Sequence, residues 1–190
     1  VGSIDYYVSQ TTTSTGCESS RTKITVITNQ IPATLTTSPI SYCLGATATA
    51  LTATATSGNN LLWYTSATGG TSASTGPTPL TTIVGSTDYY VSQVTTSSSC
   101  EGLRAKLVVT IKPIPTAPTL SRDTANFLLS GAMGTTWYKD GSAITDTTQK
   151  YKPATPGSYT AKTTTNGCTS VMSGAYYYLV TDIINLSKDE

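Results

Sequence analysis

A segment at the start of the chain returns almost unchanged 83 positions later. Val1–Gln10 reads VGSIDYYVSQ, and Val84–Gln93 reads VGSTDYYVSQ. The correspondence then holds for about thirty residues and pairs Cys17 with Cys100, Glu18 with Glu101, Arg21 with Arg104, Lys23 with Lys106, and Ile31 with Ile114. Solenoid repeats span only about 20–50 residues. A repeat of this length therefore predicts a whole small β domain.

A shorter third copy follows the second. Trp137–Tyr138 echoes Trp63–Tyr64, and Tyr159–Lys162 echoes Tyr90–Gln93. The predicted organisation is the C-terminal hairpin of a truncated domain (1–31), a complete domain (32–115), a shorter degenerate domain (116–185) and a polar tail (186–190). We therefore expect the first copy to start in the middle of a domain.

The composition supports folded β structure and excludes several partners. Charged residues make up 11% of the chain, against about 25% in typical soluble domains, and Thr, which suits strands, is about one residue in five. The net charge is +1 and the basic residues are scattered, so we expect no nucleic-acid partner. No apolar run approaches the roughly 18 residues of a membrane span. We therefore expect no membrane insertion.

Short alternating segments separated by Gly, Ser and Asn indicate strands. In the second copy they are Ala48–Ala55, Leu61–Tyr64, Asp88–Thr95 and Leu103–Ile111, and Ala175–Val180 is the predicted last strand of the third copy. About seven short strands at this spacing predict an all-β fold of tandem immunoglobulin-like β-sandwiches. The opening hairpin is marginal by itself, so we expect it to be ordered by strands from another chain or from a cleaved part of this one.

Four aromatic residues are predicted to lie in the cores. Trp63 and Trp137 each sit within a strand, which favours the core Trp of such a sandwich over a platform for stacking sugars. Tyr90 and Tyr159 follow a turn into the sixth strand, where a Tyr hydroxyl bonds back to the corner backbone.

The side chains of this sequence offer few candidates for a catalytic site. The chain has no His, the residue that most often serves as a base near neutral pH. Its acidic residues lie mostly at turns or in the tail, and no Asp cluster offers a calcium site. We predict a non-enzymatic protein without catalytic residues, metal or cofactor, although sequence leaves open a carboxylate pair brought together by folding.

The order and spacing of several short motifs resemble the Ig-like repeats of large secreted and surface proteins of Bacteroidetes, including gliding-type adhesins and substrates of type IX secretion. The motifs are Tyr42–Gly45, Leu51–Ala53, Trp63–Tyr64, Gly69–Gly70, Asp88–Gln93 and Cys100–Arg104. The resemblance implies a stalk or binding module at the cell surface, with a C-terminal sorting domain after the last copy. It also implies that Thr124 and Thr147, each preceded by Asp, are O-glycosylation sites.

The four cysteines suggest an oxidising, extracellular setting. Cys43 and Cys100 are predicted at opposite ends of one sandwich, about 25 Å apart, whereas a disulfide needs Cα atoms within about 7 Å. End-to-end stacking instead brings Cys43 to the loop that holds Cys168. This favours a Cys43–Cys168 bond, with Cys100 and Cys17 pairing to preceding domains. A Cys43–Cys100 bond stays as the alternative.

The leading functional hypothesis is a stalk or adhesion module of a bacterial surface protein, with other copies of itself or further domains of the parent protein as partners. One alternative is a fibre subunit completed by strand exchange with a neighbour. Another is a carbohydrate-binding accessory module that would bind surface glycans through exposed rings, for which Tyr176, Tyr177 and Tyr178 are the candidates.

Overall fold

The structure is a computed structural model that describes residues 1–125 and 127–179. In this part of the chain the regular structure is entirely β. The strands are β1 Gly2–Val8, β2 Thr22–Thr28, β3 Ile40–Cys43, β4 Asn59–Tyr64, β5 Gly85–Thr95, β6 Ala105–Lys112, β7 Leu120–Arg122, β8 Leu128–Ser130, β9 Thr135–Lys139, β10 Ser142–Ala143, β11 Lys150–Tyr151, β12 Gly157–Thr165, β13 Cys168–Thr169 and β14 Tyr176–Tyr178. Val180, the end of the predicted third domain and the predicted tail at 186–190 lie outside the described residues.

The strands form four sheets. β1 pairs with β2 in a two-stranded sheet, and a second sheet has the order β3-β6-β5-β4. A third has the order β10-β9-β12-β13 with β14 also on β12, and the fourth has the order β11-β8-β7. By Cα proximity the residues divide into one compact unit formed by 1–40, 48–80 and 86–109 and another formed by 41–47, 81–85 and the residues from 110 onward.

The third copy of the repeat is a sandwich of two small sheets. Its core joins Leu128 of one sheet to Trp137, Tyr159 and Ala161 of the other, and all four side chains are buried. Trp137 lies opposite Ala161 in the β9–β12 pairing, so both side chains project from the same face toward Leu128. Buried apolar area on facing sheets is what holds such a small domain together.

The core of the second copy lies on one face of its four-stranded sheet. Along β6 every second residue is buried, the period expected for a strand with one covered face. The prediction of a strand at Ala48–Ala55 was wrong, because these residues do not form a strand in the structure. Leu51 does bond to Pro77 O at 3.0 Å, but proline has no N–H to donate to a ladder. Residues 48–55 therefore lie outside any regular sheet, although Leu51 is buried.

The first copy consists of the β1–β2 hairpin and the loop between its strands. The register is antiparallel, with Ile4 opposite Val26 and Tyr6 opposite Ile24. Every residue of both strands is exposed. The hairpin therefore has the backbone pairing of a sheet without a core of its own.

Candidate functional site

A disulfide joins Cys43, in the second copy, to Cys168, in the third, with their Cα atoms 5.6 Å apart. This is the pair favoured by the sequence argument. Cys168 follows a tight turn in which Asn166 and Gly167 have φ values of 52° and 82°, the left-handed backbone that a two-residue hairpin turn requires. Lys112 Nζ donates to Asn166 O at 3.1 Å beside it.

Cys17 and Cys100 occupy the same place in their copies as Cys168. Thr12 N donates to Cys17 O at 2.9 Å, and Thr95 N donates to Cys100 O at 3.0 Å. Cys168 lies opposite Thr165 in the corresponding hairpin. Within the described residues neither of the other two thiols forms a disulfide, and the thiol of Cys17 is exposed whereas that of Cys100 is half-buried. Their pairing with preceding domains stays a prediction.

Three of the four predicted core aromatics are buried: Trp63, Trp137 and Tyr159. Trp137 Nε1 donates to Thr148 O at 2.7 Å. Tyr159 OH donates to Thr155 O at 2.7 Å, which is the corner bond predicted for this position. The phenol is thus satisfied by backbone while its ring packs in the core.

Tyr90 is half-buried and does not belong to the core. It lies opposite Tyr64, whereas its neighbour Val91 lies opposite Trp63 and is fully buried. Successive residues of a strand point to opposite faces, so Tyr90 is on the face away from Trp63. The prediction was wrong because it aligned the third copy with the second one residue out of register. Trp63 lies opposite Val91 and Trp137 lies opposite Ala161. Ala161 therefore corresponds to Val91, and Tyr159 corresponds to Tyr89.

A polar cluster on that outer face was not anticipated. The Arg104 guanidinium lies 3.2 Å from the centre of the Tyr64 ring, and Tyr64 OH donates to Glu101 Oε1 at 2.8 Å. Ser92 also donates to Glu101. Arg104 donates further to the carbonyl of Ser66 at 2.8 Å. The cluster ties the turn after β4 to the loop between β5 and β6.

Half of this cluster is already present in the first copy. Ser9 donates to Glu18, and Arg21 Nε lies 3.4 Å from Glu18 Oε1. These residues correspond to Ser92, Glu101 and Arg104 through the repeat. The sequence did contain a signal for this cluster, because Glu and Arg recur three residues apart in both copies. Charged residues that recur at the same positions of a repeat indicate a contact that the copies share.

The two predicted O-glycosylation sites, Thr124 and Thr147, are exposed. The carboxylates before them close local turns. Asp123 accepts from Phe127 N at 2.8 Å and pairs with Lys150 at 2.8 Å, and the Lys150 contact holds its pKa below the usual value. Asp146 accepts from the Thr148 hydroxyl at 2.6 Å, which lowers its pKa. These bonds explain why Asp stands at both positions.

The three consecutive tyrosines do not form a flat platform. Tyr177 is 74% exposed. Tyr176 and Tyr178 turn inward and pack against the core around Trp137. Only one ring of the strand therefore faces solvent, whereas a stacking surface for a sugar chain needs several.

Among residues 1–125 and 127–179, no group of three or more His, Cys, Asp and Glu side chains is placed to hold a metal ion. The described residues also contain no helix with the length and apolar character to cross a bilayer.

Comparison with known proteins identifies the fold of the central copy. Residues 31–113 match the family model described as "Ig-like domain CHU_C associated", and no curated protein matches the chain. A similar solved structure is that of the Sidekick-1 immunoglobulin domains 1–4, with a TM-score of 0.36 and 14% sequence identity. The match covers 91% of this chain and 57% of the Sidekick-1 chain. The chain is an all-β protein of tandem immunoglobulin-like β-sandwiches, and residues 31–113 are similar to the CHU_C-associated Ig-like domains.

Proposed function

We propose that this chain is a non-enzymatic extracellular module that serves as a stalk or adhesion segment of a bacterial surface protein. The observation that carries the proposal is the bond between Cys43 and Cys168. It joins the second copy of the repeat covalently to the third, so tension applied along the chain passes through a disulfide as well as through hydrogen bonds. A covalent link between repeats suits a protein that keeps its length under load.

The same bond supports the proposed location. Disulfides persist outside the cytosol and are rare within it. Export by type IX secretion and glycosylation of Thr124 and Thr147 belong to the proposal as properties of the resembling proteins. Surface glycans are less favoured as partners, because Tyr177 is the one outward-facing ring of its strand.

Pulling single molecules by their termini tests the mechanical role. With the disulfide intact, the 125-residue separation between Cys43 and Cys168 cannot lengthen. Reduction should release about 400 Å of further extension at about 3.5 Å per residue. The matched control is Cys100→Ser, which removes a thiol at the equivalent place in the second copy and should leave the extension of the oxidised chain unchanged. Equal extension of the oxidised and reduced chains would show that the bond carries no load and would overturn the spacer role.

A further inference from the structure

The tight turn beside the disulfide consists of Asn166 and Gly167. Among the asparagines of the chain, Asn166 alone is followed by glycine. Both residues are exposed, and their φ values are 52° and 82°. Asparagine is a chemically labile side chain, above all before glycine, because the absence of a Cβ on the next residue leaves the side-chain amide room to approach the backbone nitrogen.

A second turn of the third copy, at Asp140 and Gly141, gives a comparison. Its φ values are also positive, 48° and 85°. Asp140 Oδ1 accepts from Ser158 N at 2.9 Å, and Asp140 Oδ2 lies 3.4 Å from Lys139 Nζ. The Ser158 bond, followed by the Lys139 contact, holds the pKa of Asp140 below its usual value. This side chain is held in place and ionised, so it resists attack by a backbone nitrogen.

The corresponding groups of the Asn166 turn are not held in this way. Within residues 1–125 and 127–179, the side-chain amide of Asn166 and the backbone N–H of Gly167 form no hydrogen bond. The contacts of the turn are made by its two carbonyl oxygens, since Asn166 O accepts from Lys112 Nζ and Gly167 O accepts from Cys43 Sγ. Both groups that would have to react are therefore accessible.

The Lys112 contact acts on the peptide group that would react. Lys112 is the last residue of β6, and its Nζ lies 3.1 Å from Asn166 O. That oxygen and the Gly167 nitrogen belong to one resonant peptide unit. A cation bonded to the oxygen stabilises the negative charge that the unit carries when its N–H loses a proton. Lys112 thus favours the ionised nitrogen, which is the attacking species.

We propose that Asn166-Gly167 is a site of spontaneous modification, at which Lys112 promotes the conversion of Asn166 to aspartate and to iso-linked aspartate. The Gly167 nitrogen gives its proton to hydroxide and attacks Cγ of Asn166. The bond from Cγ to Nδ2 breaks, and Nδ2 takes a proton from water and leaves as ammonia. Water then opens the cyclic imide, at Cγ to give aspartate or at the backbone carbonyl to give the iso linkage.

The two products change the turn in different ways. Aspartate adds a negative charge to a residue whose backbone oxygen is bonded to Lys112. The iso linkage passes the chain through the side chain and lengthens the backbone between Thr165 and Cys168, which lie opposite each other in the β12–β13 pairing. The hairpin that holds Cys168 is then no longer closed by a two-residue turn. This goes beyond the proposed stalk, because it assigns a chemical change beside its disulfide.

The direct test incubates the oxidised full chain in heavy-oxygen water at mildly alkaline pH and follows position 166 by peptide mass spectrometry. In the wild type both products should form and carry heavy oxygen. Lys112→Gln should slow the conversion about threefold to tenfold, because a charged hydrogen bond to the reacting peptide is lost. Lys112→Arg keeps a cationic donor and should stay within about twofold of the wild type.

The matched control is Lys106→Gln, which removes a lysine of the same strand whose ammonium pairs with Asp88. It should convert within about twofold of the wild-type rate, because it does not touch the turn. In the reduced chain in concentrated urea the Lys112 contact is absent, so Lys112→Gln and the wild type should convert at equal rates. Equality in urea with slowing in the native chain would show that the folded contact promotes the reaction.

Several results would overturn the proposal. An unmodified Asn166 in the native wild type, or conversion there no faster than at Asn60, which is exposed and followed by leucine, would exclude the site. Equal rates for native Lys112→Gln and the wild type would exclude the role of Lys112. A faster native Lys112→Gln chain would show that the contact protects the turn instead.

Discussion

The hairpin of the first copy and strands β5 and β6 of the second are copies of one repeat, nearly identical in the first strand, and they have very different surroundings. Val8 and Val26 are half exposed, whereas Val91 and Val109 at the equivalent positions are fully buried. In both copies the two strands are neighbours in one sheet. The comparison teaches that these thirty residues pair with each other in either setting, while the burial that stabilises a sandwich comes from the strands that precede them in the repeat.

The polar contacts behave differently from the apolar ones. Lys23 Nζ lies 2.6 Å from Asp5 Oδ2, and Lys106 Nζ lies 2.7 Å from Asp88 Oδ2. This ion pair crosses between two strands of one hairpin, so it needs no other part of the domain. The two copies therefore differ in buried area and agree in their local electrostatics.

The largest difference is expected at a core position. Leu107→Ala should lower the free energy of unfolding of the second copy by about 2–5 kcal/mol, because it leaves a cavity in a closed core. Ile24→Ala, at the equivalent position on the exposed hairpin, should cost within about 0.5 kcal/mol. Urea denaturation of the two variants beside the wild type measures both. Similar losses would mean that the hairpin face is covered in solution.

A smaller difference is expected at the acidic residue of the polar cluster. Glu101→Ala removes the acceptor of Tyr64 OH and leaves Arg104, which is 15% exposed, without its carboxylate. The expected cost is about 1–3 kcal/mol. Glu18→Ala removes an exposed pair of the same sequence and should cost less than about 1 kcal/mol. Thermal unfolding of both variants compares them, and a larger effect at Glu18 would contradict the assignment.

The smallest effects are expected in the pH dependence. Lys23, followed by Thr25, holds the pKa of Asp5 below its usual 3.8. A carboxyl with a lowered folded pKa adds stability above 3.8, and that contribution is lost as the pH falls through the folded value. Carboxyl NMR titration should show the lowered pKa in the wild type and its return toward 3.8 in Lys23→Gln. An unchanged Asp5 titration in that variant would contradict the contact.

Lys106, the corresponding lysine of the second copy, has a raised pKa, so its contribution to stability depends on pH in the opposite direction. The Asp88 carboxylate raises the pKa of Lys106 above its usual 10.5. A base with a raised folded pKa adds stability below 10.5, which is lost as the pH rises through the folded value. The contribution of the second-copy ion pair to stability should thus fall as the pH rises through the folded pKa of Lys106, which a urea denaturation series at alkaline pH measures.

The sequence was sufficient for features that depend on local pattern or on the ends of strands. The length of a strand argued against a Cys43–Cys100 bond, and end-to-end stacking of the copies favoured the Cys43–Cys168 bond that the structure contains. The Tyr159 corner followed from its place after a turn. Alternation of Ala and Thr was not sufficient for a strand at Ala48–Ala55, because a strand also needs a partner that can donate and Pro77 cannot.

Two features of the site depended on information that one copy alone does not contain. Tyr90 was assigned to the wrong face because a shift of one residue reverses every side chain of a strand. The contact of Arg104 with Tyr64 joins residues distant in the chain, and no pattern within either segment indicates it. The pairing of Trp63 with Val91 and of Trp137 with Ala161 resolves the register.

The bond between Cys43 and Cys168 has a consequence for proteolysis. Much of the chain between these residues is loop, the preferred place for proteolytic nicking. A single cut there leaves both fragments attached through the two sulfur atoms. A nicked molecule would thus keep its connection from one end to the other until a reductant reached the disulfide, and in an oxidising surrounding damage to one loop would not detach whatever the chain holds.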